Sequence, residues 1–136
     1  MLKKMYFSLF AIFLTGCLFL LSSPSAFYLF NKKSTVFVGN SSSECVLIES
    51  FGQQIINGKK GESVKITTQE FNLDQIIKYF DAKLILKEQV GGIVNYYFYT
   101  KKLRYKECIY GKTVNLHIAV TNQGATLGTP LIYGWY

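Results

Sequence analysis

Histidine and cysteine are scarce in this chain, and their scarcity excludes several kinds of site. The 136 residues contain one histidine, His117, and three cysteines that form no C-x-x-C pair: Cys17, Cys45 and Cys108. A structural zinc site requires four Cys or His ligands at short spacings, and a phosphate-binding loop requires a Gly-rich turn between a strand and a helix. The sequence has neither pattern, so we expect no metal and no cofactor.

Charged residues are also few, at 17% of the chain, and the eight carboxylates follow no spacing that suggests an acid–base pair. His117 is expected on a strand beside Asn115, whereas a general base needs a substrate or nucleophile within reach and an orienting partner. We therefore favour a structural role for His117 and a protein that is not an enzyme. Because a distant part of the fold can supply an acid, a small hydrolase or transferase acting on wall material stays as the alternative.

The first thirty residues carry the strongest functional signal. Lys3 and Lys4 precede an apolar run from Met5 to Leu21, and a Ser/Pro stretch follows at 22–25. A positive end, an apolar stretch and small residues after it are typical of an export signal or a membrane anchor. Since positive flanks stay in the cytoplasm, the pattern predicts that all later residues lie on the outer side of the cell membrane.

Three fates of this leader are open. Its apolar run of 17 residues is at the short end of the ~17–25 that span a bilayer, and retention as a single-pass anchor is the preferred interpretation. Cleavage after Ser25 would use Ser23 and Ser25 as the small residues of the cleavage site and release a secreted domain. Residues 14–17 resemble a lipoprotein box with Cys17 as the lipidated residue, although the apolar residues that follow favour an ordinary helical cysteine.

The formal charge of +7 overstates the basic character of the part after the leader. Four of the fifteen Lys and Arg residues flank the apolar segment, so residues 34–136 carry eleven cations against eight acids, a net charge of +3. That balance is far below what a dedicated nucleic-acid-binding domain shows, and we expect no nucleic acid partner.

One local cluster of cations is present: Lys101, Lys102, Arg104 and Lys106. The simpler interpretation is a solvated loop between two strands. The more specific one is a patch that faces anionic phospholipid headgroups or an acidic wall polymer.

The remaining pattern predicts one α+β domain at 44–136, joined by a tether at 31–43 to a signal peptide or transmembrane anchor at 1–30. A helix is expected over 72–80, because Asn72 is a good N-cap and the apolar residues that follow it have helical spacing. These stripe residues are Leu73, Ile76, Ile77 and Phe80.

Strands are expected on both sides of this helix. Their predicted positions are 44–51, 63–68, 83–88, 93–100, 113–121 and 125–133, and a helix is also compatible with the sequence at 44–51. Gly91-Gly92 predicts a two-residue hairpin, and Pro130 predicts an edge position or a bulge for the last strand, because proline cannot donate to a central ladder. A strand, a helix and four antiparallel strands in succession predict a curved sheet with the helix packed on one face.

The second face of that sheet is a candidate for binding, because its alternating positions carry aromatic and polar residues. Together with the aromatic residues near the end of the chain, the candidates are Tyr97, Tyr99, His117, Trp135 and Tyr136. Interfaces favour Tyr and Trp, whereas the simpler interpretation is a small core filled with large side chains.

Cys45 and Cys108 remain after the leader and lie in apolar, strand-like stretches. In an oxidising compartment an even pair can form a disulfide. Two buried free thiols are equally compatible with the sequence.

Three stretches carry a family resemblance: NYYFY at 95–99, KTVNLHI at 112–118 and LGTPLIYG at 127–134. Over about residues 42–136 the chain resembles the YwmB-like family of low-GC Gram-positive bacteria. The resemblance implies an extracytoplasmic domain with a TATA-box-binding-protein-like fold, in which a strand and a helix precede several strands. It implies no activity and no catalytic residues, and the name of the fold describes shape rather than DNA binding.

Taken together, the sequence predicts a non-enzymatic interaction domain of the bacterial cell envelope. Its N-terminal segment would hold it in the membrane, and its partner would be an envelope protein or a wall polymer. Nucleic acid binding by analogy of fold is the weakest alternative, because it conflicts with export and with the small net charge of the domain.

Overall fold

The computed structural model describes residues 2–21, 25–27, 30, 32–39, 46–50 and 58–133. These residues form an α+β protein with two helices and an antiparallel sheet. The elements are α1 (Leu2–Leu21), β1 (Ser34–Val38), β2 (Val46–Ser50), β3 (Lys59–Thr67), α2 (Leu73–Phe80), β4 (Lys83–Val90), β5 (Ile93–Tyr99), β6 (Glu107–Ile109), β7 (Lys112–Val114), β8 (Leu116–Thr121) and β9 (Gly124–Thr129).

Seven of the strands form one sheet in the order β2-β1-β3-β9-β8-β5-β4, and β6 and β7 form a separate two-stranded sheet. Every neighbouring pair is antiparallel. The last strand, β9, pairs with β3 from Glu62–Thr129 to Thr67–Gly124. The chain segment after α2 therefore returns to the strand that precedes α2.

Helix α2 begins as predicted. The Asn72 side chain accepts a hydrogen bond from the backbone N–H of Gln75 at 3.0 Å, which satisfies one of the free donors of the first turn. Asp81 ends the helix in a left-handed conformation, with φ of 48°. Ile76 and Phe80 are buried, so the predicted apolar stripe is the face that packs on the sheet.

The core lies between α2 and one face of the sheet. Its buried members are Phe27, Val64, Ile66, Ile76, Phe80, Phe98, Leu103, Leu116, Ile118, Ala125 and Leu127. Phe27 belongs to the segment assigned to the leader, and it is 1% exposed. The packed domain therefore extends into residues that the sequence analysis placed before the tether.

The predicted hairpin between β4 and β5 is confirmed. Val90 pairs with Ile93 across Gly91 and Gly92, and Gly91 has a φ of 59° that suits glycine. In β5, Phe98 is part of the core, whereas Tyr97 pairs with His117 of β8. The two faces of β5 are therefore assigned: Phe98 lies toward α2, and Tyr97 lies on the second face of the sheet.

The last strand does not lie at an edge, so that part of the prediction is wrong. β9 lies between β3 and β8 in the sheet. It ends at Thr129, and Pro130 follows the last paired residue. Proline therefore removes no hydrogen bond from the ladder, and its inability to donate does not constrain the position of β9.

The strand predicted over 113–121 is divided at Asn115. Residues Lys112–Val114 form β7 and pair with β6, whereas Leu116–Thr121 form β8 in the large sheet. Asn115 itself is 0% exposed, and its side chain bonds to the loop after β5. A buried amide that needs partners outside the ladder explains the division.

The strand predicted over 44–51 is confirmed at Val46–Ser50 as β2, and residues 44, 45 and 51 lie outside the described residues. In the region assigned to a tether, the extended piece that the sequence predicts at 36–38 is part of a strand of the sheet. Ser34–Val38 form β1, which pairs with both β2 and β3, and Val36 and Phe37 are buried. Residues 34–38 are therefore an inner part of the sheet.

Helix α1 contains the apolar run of the leader. Its side chains at 4–16 are exposed, and those of Phe7, Ile12 and Phe13 are 76%, 68% and 69% exposed. Within the described ranges, no helix combines the length and the apolar character that a bilayer crossing requires.

Candidate functional site

His117 lies on the second face of the sheet, as predicted, but it is buried at 3% exposure. Its Nδ1 accepts a hydrogen bond from the backbone N–H of Ile132 at 3.2 Å. Its Nε2 therefore carries the proton and donates to Oδ1 of Asn95 at 2.9 Å. The ring also stacks on Tyr97, with centroids 4.4 Å apart.

Burial lowers the pKa of His117 to about 4, so the imidazole is neutral at pH 7. Both ring nitrogens are engaged by the protein. A general base must reach a proton of the substrate, and neither nitrogen of His117 is placed to do so. The arrangement instead orders the second face of the sheet.

The chain after β9 covers part of this second face. Ile132 packs so closely over Gly128 that a Cβ at position 128 would lie 2.7 Å from Cγ1 of Ile132. The ring centroids of Tyr133 and Phe37 are 4.0 Å apart. Of the predicted binding residues, Tyr97 and Tyr99 are half-buried, and Trp135 and Tyr136 lie outside the described residues.

The predicted basic patch lies on the loop between β5 and β6, which we call the basic loop (residues 101–106). The side chains of Lys101, Lys102, Arg104 and Lys106 are all exposed. Among the described residues, the ion pairs join Lys32 to Glu70, Lys33 to Glu49 and Lys59 to Glu62. None of the four loop cations takes part in an ion pair within those ranges.

The basic loop is held in place by the buried side chain of Asn115. Nδ2 of Asn115 donates to the carbonyls of Thr100 at 2.6 Å and Leu103 at 3.2 Å, and Oδ1 accepts from the backbone N–H of Thr100 at 2.8 Å. Leu103 inserts into the core and is 6% exposed. The four cations are therefore displayed on an ordered backbone.

Thr100 connects this loop to the end of α2. Its hydroxyl donates to the carbonyl of Phe80 and accepts from the backbone N–H of Lys102 at 3.1 Å. Nζ of Lys102 also donates to the carbonyl of Tyr79. The loop and the last turn of α2 thus form one continuous surface.

Two cations of the loop lie over tyrosine rings. Nζ of Lys102 is 5.4 Å from the ring centroid of Tyr79, and Nζ of Lys106 is 5.6 Å from that of Tyr99, within the range of a cation–π contact. We call the group of Tyr79, Tyr99 and the four loop cations the basic surface. The sequence analysis missed Tyr79, although its position off the apolar stripe of α2 is a signal that it faces solvent.

A second polar cluster was also missed, and it lies at the end of the leader. The carboxylate of Glu62 is 0% exposed and lies 2.7 Å from Nζ of Lys59. It also accepts hydrogen bonds from the hydroxyl of Ser25, at 3.1 Å, and from the backbone N–H of Ala26. One residue later, the ring of Phe27 packs edge-on against Phe80 at 6.0 Å.

Both cysteines in the part of the chain that the structure describes are free, and Cys108 is exposed rather than buried as the free-thiol alternative predicted. Cys108 is exposed on β6 as a free cysteine, Cys17 is a free and partly buried residue of α1, and Cys45 lies outside the described residues. Within the described ranges, no group of three or more His, Cys, Asp or Glu side chains is placed to hold a metal ion.

Comparison with known proteins identifies no relative of this chain. No protein-family model matches the chain, and neither a curated protein nor a solved structure matches it.

Proposed function

We propose that this chain is an exported, non-enzymatic binding protein of the bacterial cell envelope, whose folded domain faces outward and whose leader stays in the membrane. The leader supports this through its two N-terminal lysines and the apolar run after them. The structure adds that the large apolar side chains of α1 between Met5 and Leu14 are exposed. Apolar surface of this extent marks a segment that membrane or another protein covers.

The observation that carries the proposal is the basic surface. Four cations within six residues are exposed on a backbone that Asn115 and Leu103 fix, and two of them lie over tyrosine rings. Clustered cations raise the local concentration of anions, and an ordered loop loses little conformational entropy when a partner binds. The surface suits an anionic envelope component, such as lipid headgroups or a phosphate-containing wall polymer.

The proposal also includes the fold type to which the α+β domain belongs. The order β3, α2, β4, β5, β8 and β9 agrees with the strand–helix–multistrand unit that the YwmB-like resemblance implies. We therefore propose a TATA-box-binding-protein-like repeat in an extracytoplasmic setting. This shape alone supports no DNA binding, because the domain carries a net charge of only +3.

A hydrolase that uses His117 is disfavoured. Such an enzyme needs an accessible imidazole, and His117 is buried with one nitrogen on Asn95 and the other on the backbone of Ile132. No other observation in the described residues favours a catalytic function.

The first test is the location and processing of the full-length chain in a Gram-positive host, by fractionation, protease accessibility and intact mass. A membrane-retained product of full mass that external protease degrades is the expected result. A soluble product beginning at Ala26 would contradict retention, and one lipidated at Cys17 would assign a different anchor. Retention in the cytoplasm would overturn the proposal.

A further inference from the structure

Only a short segment connects the end of helix α1 to the folded domain. Helix α1 ends at Leu21, and four residues later the hydroxyl of Ser25 already bonds to the buried carboxylate of Glu62. Four residues span at most about 14 Å when fully extended. If the apolar run ends at the surface of the bilayer, the domain must therefore lie directly against the headgroups.

Besides β3, which carries Glu62, the last turn of α2 contacts the residues at the end of the leader. Phe27, two residues after Ser25, packs against Phe80. The carbonyl of Phe80 accepts from Thr100, at the start of the basic loop, and the carbonyl of the preceding residue, Tyr79, accepts from Lys102. The basic surface and the end of the leader thus meet on two consecutive residues of α2.

From this juxtaposition we propose that the basic surface is a docking site for the headgroups of anionic phospholipids, in the leaflet where the leader ends. The inference rests on the proposed function, because it requires that the leader is retained in the membrane. Lipid is favoured over wall polymer because the short connection from Leu21 to Ser25 places the domain at the bilayer. A wall polymer would not require the cations to lie beside the leader.

The chemistry of the surface fits this occupant. Ammonium and guanidinium groups bind phosphate oxygens, and tyrosine is enriched at the level of the headgroups. Charges act on a membrane over about one Debye length, ~8 Å at physiological ionic strength, so the cations act on the headgroups only if the domain lies directly against the bilayer. Each cation near an anionic leaflet strengthens association by about fivefold, so the four loop cations act together.

The test uses the full-length chain in nanodiscs of phosphatidylcholine, with or without phosphatidylglycerol. A water-soluble reagent acylates exposed lysines, and mass spectrometry gives the rate at each site. We expect Lys101 and Lys102 to react several-fold more slowly in discs that contain phosphatidylglycerol, because headgroups that bind the ammonium groups shield them from the reagent. Lys65, which is exposed on β3 and pairs with Thr126 near the β8–β9 turn, serves as the internal control and keeps its rate.

Two matched double variants complete the test. Lys101→Gln with Lys102→Gln removes two charges from the basic surface, and Lys65→Gln with Lys87→Gln removes two exposed charges from strands β3 and β4. Only the first pair is expected to abolish the lipid-dependent protection of Lys106. Circular dichroism of both variants checks that each keeps the fold.

The outcomes separate this inference from the proposed function. Equal rates in both kinds of disc overturn the docking site while leaving the exported domain intact. Protection of Lys101 and Lys102 by soluble polyglycerol phosphate, but not by phosphatidylglycerol, replaces lipid with wall polymer. Failure of the chain to reach the membrane in cells overturns the proposed function itself.

Discussion

Lys59 and Glu62 form a buried ion pair, with Nζ and Oε2 2.7 Å apart and side chains that are 6% and 0% exposed. Charged groups are rarely buried so completely unless they are paired. The carboxylate also holds Ser25 and the backbone of Ala26. This pair therefore joins two parts of the chain that the sequence places on either side of β1, and it fixes the end of the leader to β3.

Removing one member of the pair is expected to be costly. Glu62→Gln keeps an oxygen that can accept from Ala26 but leaves the ammonium of Lys59 buried without a counter-charge. Breaking a buried pair in this way costs about 3–5 kcal/mol, a large part of the total stability of a small domain. Urea unfolding of the full-length chain in a mild detergent, followed by circular dichroism, measures the loss.

The double variant Lys59→Met with Glu62→Gln is the control, because no charge then remains buried. It is expected to recover most of the stability lost in Glu62→Gln, since replacing both members of a buried pair is often close to neutral. Strictly additive losses from Lys59→Met and Glu62→Gln would show that the two side chains do not interact.

The environment of His117 predicts that acid destabilises the fold. Burial holds the pKa of His117 near 4, below its ordinary value of 6.5. Below pH 6.5 the imidazole is therefore protonated in the unfolded chain, whereas in the folded chain it stays neutral down to about pH 4. The free energy of unfolding consequently decreases as the pH falls from 6.5 to 4. Linkage gives a loss of about 2 kcal/mol in unfolding free energy between pH 7 and pH 5.

The hydrogen bonding of His117 also predicts a loss of stability in acid, because a proton added to Nδ1 would point at the N–H of Ile132, which is itself a donor. Unfolding of His117→Gln at the same pH values is the comparison, and its stability is expected to be nearly constant there. Glu70, whose pKa is lowered chiefly by the hydrogen bond from Lys32, loses its contribution only below its ordinary pKa of 4.5. A variant that keeps the full pH dependence would exclude His117 as its source.

The elements that the sequence predicted correctly are those defined by residues close to one another in the chain. Asn72 and the stripe from Leu73 to Phe80 define α2, and Gly91-Gly92 defines the β4–β5 hairpin. In these elements the cap, the turn and the apolar period all involve residues within a few positions of each other. The exposure of the basic loop followed similarly from its run of cations.

What the sequence did not predict depends on pairings over long distances in the chain. Alternation in β8 correctly separates Ile118 from His117, but it does not show that the second face is also covered. That cover comes from Ile132, beyond the end of β9. Likewise, the alternation of apolar and polar residues along a strand predicts neither the pairing of β3 with β9 nor the burial of Phe27.

The order of the basic loop should depend on Asn115. Asn115→Ala removes the three hydrogen bonds to Thr100 and Leu103 and leaves buried backbone groups without partners, each at a cost of about 1–3 kcal/mol. We expect lower stability and faster hydrogen exchange at the amide of Lys102. Asn122→Ala, at an exposed turn position, is the matched control, and equal exchange rates in the two variants would contradict a role for Asn115 in ordering the loop.

Two buried threonines should respond in opposite directions to the same substitution. Thr129 is 1% exposed, and its hydroxyl has no hydrogen-bond partner in the part of the chain that the structure describes. Thr100 is equally buried, but its hydroxyl bonds to both Phe80 and Lys102. Valine has nearly the shape of threonine without the hydroxyl, so the substitution tests the polar group at each site.

Thr129→Val is expected to stabilise the domain by about 1 kcal/mol, because burying an unpaired hydroxyl costs free energy that valine avoids. Thr100→Val is expected to destabilise it by about 1–3 kcal/mol, since the carbonyl of Phe80 and the N–H of Lys102 lose their partner. Unfolding midpoints measured in parallel give both values. Destabilisation by Thr129→Val would mean that its hydroxyl has a partner among residues outside the described ranges.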